Sequence, residues 1–123
     1  MFNSCNNLKK IDVSKFNSSK CETIHRIFCG CHSITEIDMI NWDMSNLKTN
    51  TEDSPIYRLF DCCRSLKLIK ISGNLNKNEA NKKGIEKILY DVPKKGILIF
   101  NKNVDNNIDF NKCLPSNWAR SFE

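Results

Sequence analysis

Cysteine and histidine side chains cluster between residues 21 and 32, and their types could bind a metal ion. The residues are Cys21, His25, Cys29, Cys31 and His32. Thiolate sulfur and imidazole nitrogen are the usual ligands of structural zinc, which needs four ligands that converge on one point. This cluster allows two hypotheses. The chain is a small zinc- or thiol-dependent regulator, or the cysteines are small apolar side chains with no metal role.

The sequence carries no signature of catalysis. It contains no Gly-x-Ser-x-Gly and no His-Glu-x-x-His, and its four glycines do not form a phosphate-binding loop. Aspartates such as Asp12 and Asp38 recur only because the surrounding sequence recurs. We therefore predict that the chain is not an enzyme and that it has no catalytic residue and no cofactor.

The formal net charge of +5 comes from the second half of the chain. Residues 61–123 hold twelve Lys/Arg and seven Asp/Glu, whereas residues 1–60 hold seven of each. Aromatic residues do not alternate with the basic ones, which favours a solvated surface over nucleic-acid binding. The apolar run 97–100 is too short to cross a bilayer, and residues 1–4 do not open a signal peptide. We expect no nucleic-acid partner, no membrane insertion and no export signal.

A repeat accounts for most of the apolar residues. The spacing from Cys5 to Cys31 is 26 residues, and that from Cys31 to Cys63 is 32 residues. The equivalent apolar positions are Phe2, Cys5, Leu8, Ile11 and Val13; Phe28, Cys31, Ile34, Ile37 and Met39; and Phe60, Cys63, Leu66, Ile69 and Ile71. A weaker fourth copy ends at Leu98 and Phe100. Such self-similarity is typical of stacked repeats.

Each copy changes from a helical to a strand-like hydrophobic period. Ile24, Ile27 and Phe28 lie at i, i+3 and i+4, which predicts a short helix, and residues 37–39 alternate as a half-buried strand does. We predict an α/β solenoid with a short parallel sheet on one face and short helices on the other. It has three to four coils plus a C-terminal cap. The predicted coils are 1–18, 19–47, 54–75 and 79–100, with an inserted loop at 48–53 and a capping tail at 101–123.

Stacking of these coils aligns equivalent residues in columns. Ile11, Ile37, Ile69 and Leu98 form one core column, and Cys5, Cys31 and Cys63 form another. We interpret these three cysteines as buried free thiols, because equivalent positions face one direction and the coil rise sets their spacing. Cys21 matches Leu47 of the next coil, so it too is expected in the core. We therefore favour the structural role over a metal site and predict no metal ligand.

The string that begins Met1-Phe2, with Cys5, Leu8 and Ile11, resembles the BspA-type leucine-rich-repeat surface proteins, which share the treponemal class of repeat. The resemblance covers residues 1–72, and residues 85–97 with 114–118 are similar to the segment that ends such arrays. It implies a leucine-rich-repeat solenoid, at a cell surface or secreted, that binds protein or glycan ligands without catalysis or cofactor. Because the chain starts inside a coil, we expect a C-terminal fragment of a longer array.

Residues that flank the core column are expected to face outward in three columns. These are Lys10, Glu36, Leu68 and Ile97; Asp12, Asp38, Lys70 and Ile99; and Ser14, Ile40, Ser72 and Asn101. The predicted binding residues are Glu36, Asp38, Leu68, Lys70, Ile97 and Ile99. Leu68, Ile97 and Ile99 would form an apolar patch, which a monomer rarely leaves bare.

Two alternatives concern this patch. In the favoured one, the tail 108–118 folds back, Phe110, Leu114 or Trp118 covers the patch, and the site moves to the charged columns around Glu36 and Asp38. In the other, the patch is an interaction site bordered by Lys70 and Asp38.

The preferred function is a non-enzymatic binding or adhesion module, part of a larger surface protein. A purely structural repeat segment with its ligand bound elsewhere is the main alternative, and the metal- or thiol-dependent regulator is a third. Self-association through the first coil is a further expectation, because no helix precedes the apolar residues Met1, Phe2, Leu8 and Val13.

Overall fold

The strands among the described residues form one parallel sheet. The computed structural model describes residues 2–48, 56–72, 88–101, 115 and 117–122, with the backbone alone at residue 122. The strands are β1 (Lys10–Asp12), β2 (Glu36–Met39), β3 (Leu68–Ile71), β4 (Lys95–Phe100) and β5 (Asn117–Phe122). They neighbour one another in chain order, and each neighbouring pair is parallel. The predicted parallel sheet is confirmed.

The register of the sheet follows the sequence repeat. Ile37 pairs with Ile11 on one side and with Ile69 on the other, and Ile69 pairs with Leu98. Successive side chains of a strand point to opposite faces, so these residues share the core face of the sheet. Ile37, Ile69 and Leu98 are buried and Ile11 is half-buried. The predicted core column is confirmed.

The short helices expected on the other side of the sheet are wrong for the described residues. Residues 25–30 and 56–62 form consecutive turns. Arg26 and Gly30 have φ angles of 56° and 76°, and Arg58 and Cys62 repeat them at 55° and 58°. A left-handed residue cannot continue a right-handed helix, so each of these positions ends any helical run. The predicted helix before Val92 lies mostly outside the described residues.

Backbone hydrogen bonds join these turns to the turns of the following repeat. The Phe28 N–H donates to the Leu59 carbonyl at 3.2 Å, and the Gly30 N–H donates to the Asp61 carbonyl at 2.8 Å. Such bonds satisfy backbone groups that would otherwise be buried without partners. Consecutive repeats are therefore hydrogen-bonded both in the sheet and across these turns.

A stack of aromatic rings lies inside the turns. Phe28 lies between Phe2 and Phe60, with ring centroids 5.5 and 5.9 Å away. The Cys31 thiol donates to the Phe2 carbonyl at 2.8 Å, and the Cys63 thiol donates to the Phe28 carbonyl at 3.0 Å. The same contacts thus recur from repeat to repeat, as the sequence repeat requires.

The third outward column is wrong at two positions. Ile40 and Ser72, which directly follow β2 and β3, are 7% and 1% exposed. The Asn101 side-chain amide donates to the Ile40 carbonyl and to the Ser72 hydroxyl, each at 3.2 Å. Asn101 thus links the two residues that directly follow β2 and β3.

The predicted coil boundaries stay predictions. The loop 48–53 lies outside the described residues except for Lys48, whose ammonium group pairs with Glu22. In the predicted tail, residues 117–122 form β5, while residues 102–114 lie outside the described residues.

Candidate functional site

The outward side chains of the strands form a surface that we term the strand face. It consists of two columns: Lys10, Glu36, Leu68, Ile97 and Ala119; and Asp12, Asp38, Lys70, Ile99 and Ser121. All ten side chains are exposed or half-buried. The structure therefore brings the six predicted binding residues onto one surface.

Opposite charges are paired on β1, β2 and β3. The Lys10 Nζ atom is 3.1 Å from Glu36 Oε1, and the Lys70 Nζ atom is 3.5 Å from Asp38 Oδ2. Both pairs join neighbouring strands and are partly exposed to solvent. Exposed ion pairs contribute little to the free energy of unfolding. A ligand can therefore bind these charged groups in place of their partners at a small cost in stability.

The other end of the strand face is apolar. Leu68 of β3 pairs with Ile97 of β4, and Ile99 lies two residues after Ile97 in β4. We term these three residues the apolar patch. Ile97 is 45% exposed, and Leu68 and Ile99 are half-buried. Next to the patch, Ala119 and Ser121 of β5 pair with Ile97 and Ile99 and carry small side chains.

Trp118 does not cover the apolar patch. It pairs with Gly96, belongs to the buried core and donates from its Nε1 atom to the Pro93 carbonyl at 2.7 Å. A Cβ atom at Gly96 would lie 2.5 Å from the Trp118 ring, so the ring occupies the space that a side chain there would need. The expectation of a covering tail is therefore wrong for Trp118. Phe110 and Leu114 lie outside the described residues.

The cysteines of the repeat are free thiols at different depths. Cys31 and Cys63 are fully buried, as predicted, whereas Cys5 is half-buried. Burial raises the pKa of the Cys63 thiol to about 12 and also raises the pKa of Cys31. A thiol held in its neutral form is a poor nucleophile and a poor metal ligand. Neither residue is therefore suited to the thiol chemistry that the Cys/His cluster first suggested.

The remaining members of that cluster lie in different surroundings. His25 is half-buried with its ring 5.8 Å from that of Tyr57, and His32 is exposed. Cys21 packs against the core, as its match to Leu47 predicted. Among the residues that the structure describes, no group of three or more His, Cys, Asp or Glu side chains could hold a metal ion.

Sequence reasoning missed the contribution of β5 to the strand face. Residues 117–122 carry no recognisable copy of the repeat, and Arg120 stands where the register has Leu98. A charged residue in a core column hides the alternation that would have revealed the strand. Trp118 alone gave a signal, because a large aromatic side chain usually needs burial.

The sequence also gave no indication that the Asp61 side chain is buried. It is 4% exposed, and its Oδ2 atom is 3.5 Å from the Arg58 Nε atom. Burial raises the pKa of this carboxyl group, and the positive charges of Arg58 and Arg26 oppose that rise. Among the residues that the structure describes, its buried Oδ1 atom has no hydrogen-bond partner.

No protein-family model, curated protein or solved structure matches the chain. Within the described ranges, the structure contains no helix long and apolar enough to cross a membrane.

Proposed function

We propose that the chain is part of a leucine-rich-repeat solenoid and that its strand face is a non-enzymatic binding site for a protein ligand. The observation that carries this proposal is the apolar patch of Leu68, Ile97 and Ile99, which lies beside the charge pairs on one continuous surface.

The sequence repeat and the contacts between repeats agree, which supports the solenoid. Equivalent residues 26 or 32 positions apart become direct neighbours in the sheet, as Ile11, Ile37 and Ile69 do. The turns opposite the strands are also joined from repeat to repeat. A stack of this kind buries an apolar stripe that no single repeat can bury. The resemblance of residues 1–72 to BspA-type repeats supports the same assignment, within a larger protein that is secreted or at a cell surface.

The composition of the strand face supports a binding role. An apolar centre with a polar border is typical of protein interfaces, and exposed apolar side chains gathered in one place are uncommon on surfaces that bind nothing. In this face Ile97 and Ile99 form the centre, and the Asp38–Lys70 pair borders it.

A protein ligand is favoured over a glycan. The ten described side chains of the strand face include no aromatic ring against which the apolar C–H face of a sugar could pack. Branched aliphatic side chains such as Ile97 and Ile99 instead match the apolar side chains of another protein. Recognition would combine this apolar contact with polar contacts to Glu36, Asp38 and Lys70.

The test is a screen of the chain against arrays of purified extracellular proteins and of glycans, followed by titration of each hit. We expect a protein hit whose binding is lost in Ile99→Lys and weakened in Lys70→Glu. Lys20→Glu is the matched control, because Lys20 is exposed and lies outside the strand face. Full binding by a folded Ile99→Lys variant would contradict the site, hits only among the glycans would contradict the ligand class, and no hit in either array would favour a purely structural segment.

A further inference from the structure

The turn of the third repeat, residues 56–62, holds a carboxyl group that the sequence repeat does not require. Asp61 is 4% exposed, and an aspartate is rarely buried to this extent without full pairing. Cys62 and Gly30 share a left-handed conformation at equivalent positions. The residue before each is Asp61 or Cys29, so a carboxyl group stands where the second repeat has a thiol.

The polar partners of the Asp61 carboxyl group are incomplete. Its Oδ2 atom is 3.5 Å from the Arg58 Nε atom, which is longer than a typical N–H···O hydrogen bond. Its Oδ1 atom is buried and has no hydrogen-bond partner within the described part of the chain. A carboxylate that loses its water without gaining such partners is disfavoured relative to its neutral form.

The charged groups around Asp61 do not remove this cost. Loss of water raises the pKa of its carboxyl group most strongly, Arg58 and Arg26 lower the pKa, and Asp91 raises it. The net result is a pKa above the ordinary aspartate value of 3.8. The adjacent Cys62 thiol adds no negative charge at neutral pH, because burial raises its pKa as well. The folded protein therefore keeps a proton on Asp61 to a higher pH than the unfolded chain does.

We propose that Asp61 makes the stacking of the third repeat sensitive to pH, so that this repeat is held more firmly in acidic solution than at neutral pH. The turn that carries Asp61 bonds to both neighbouring repeats. The Gly30 N–H donates to the Asp61 carbonyl at 2.8 Å, and the Cys62 N–H donates to the Tyr90 carbonyl at 3.0 Å. A negative charge buried between these two bonds weakens the joint, and protonation removes the charge while the bonds stay in place. This device does not depend on the proposed ligand.

The direction of the pH effect follows from proton binding. A carboxyl group whose pKa is higher in the folded protein than in the unfolded chain takes up protons on folding. The contribution of Asp61 to stability is therefore fully favourable below the ordinary value of 3.8, and it is lost as the pH rises through the raised pKa. Asp12 and Asp91 act in the opposite sense, because hydrogen bonds lower their pKa and their contributions are lost below 3.8. The two effects thus occupy different pH ranges.

The substitution Asp61→Asn tests the proposal, because it keeps the shape of the side chain and removes the charge. At neutral pH it should raise the midpoint of urea unfolding. This gain should shrink as the pH falls toward about 3.8 and vanish below it, since the carboxyl group of the unmodified chain is then neutral too.

Asp91→Asn is the matched control. Asp91 is exposed and its Oδ2 atom is 3.0 Å from the Arg64 Nε atom, so its charge is favourable where that of Asp61 is not. The control variant should lower the urea midpoint at neutral pH, and this loss should vanish in acid. The two variants therefore change stability in opposite directions, which a general effect of an added amide would not do.

A direct readout is the carboxyl carbon resonance of Asp61, followed by NMR during a pH titration of the folded chain. We expect the titration midpoint of Asp61 to lie above 3.8, and we expect it to rise further in Arg58→Gln, which removes an opposing positive charge. A loss of stability in Asp61→Asn at neutral pH would overturn the proposal, because it would make the contact with Arg58 a stabilising ion pair. So would a gain that is the same at every pH, or a midpoint at or below 3.8.

Discussion

The first and second repeats carry the same apolar pattern but bury it to different extents. Phe28, Cys31 and Ile34 are completely buried, and the corresponding Phe2 and Cys5 are only half-buried. The backbone path is similar in both, because Ser4 and Gly30 share a left-handed conformation at equivalent positions. The difference is in the neighbours: the second repeat has one on each side.

This comparison shows where the stability of the fold originates. Strands of three to six residues and isolated turns cannot bury an apolar side chain by themselves. Burial comes from contact between repeats, so the same residue type contributes more where both neighbours are present. The variants below measure that dependence, each at a protein concentration where the chain is monomeric.

The largest contrast is expected between Trp42 and Phe16. Trp42→Ala removes a 5% exposed ring together with the hydrogen bond from its Nε1 atom to the Val13 carbonyl, so it should cost about 3–5 kcal/mol of unfolding free energy. Phe16→Ala removes a ring that is already 48% exposed and should cost about 1 kcal/mol or less. Urea denaturation of both variants gives the two values, and equal losses would remove the distinction between the repeats.

A smaller contrast is expected within the core column. Ile37→Ala should cost about 2–5 kcal/mol, because Ile37 is 1% exposed between Ile11 and Ile69. Ile11→Ala should cost about 1–2 kcal/mol, because Ile11 is only half-buried. Thermal unfolding followed by circular dichroism measures both changes. A larger loss at Ile11 than at Ile37 would show that the first repeat is covered.

The smallest effect is expected on the strand face. Asp38→Ala removes a 3.2 Å hydrogen bond from the Ile40 N–H and a partly exposed pair with Lys70, so it should cost about 1 kcal/mol. The residue beside it in the chain, Ile37, points into the core instead. If urea titrations gave Asp38→Ala the same loss as Ile37→Ala, the strand register would be off by one residue.

Much of the sheet could be predicted because repeat spacing determines register. Once Cys5, Cys31 and Cys63 were aligned, the neighbours of Ile37 and the two columns of the strand face followed by counting. The fifth strand could not be found in this way, because Arg120 interrupts the apolar alternation.

The helices were mispredicted for a different physical reason. Ile24, Ile27 and Phe28 are all at least partly buried, as the spacing predicted, but turns rather than a helix place them there. The deciding feature is the left-handed conformation of Arg26 and Gly30. Glycine signals such a position in a sequence, whereas arginine does not.

Cysteine labelling tests most directly whether contact between repeats buries the core. The thiols of Cys5, Cys31 and Cys63 occupy equivalent positions, so they report the cover on three successive repeats with the same chemistry. The native, monomeric protein would be treated with iodoacetamide, and each site would be followed by peptide mass spectrometry. We expect Cys5 to react while Cys31 and Cys63 stay unmodified, since burial raises the pKa of Cys63 to about 12 and raises that of Cys31. Equal labelling of Cys5 and Cys63 in the folded protein would contradict the account.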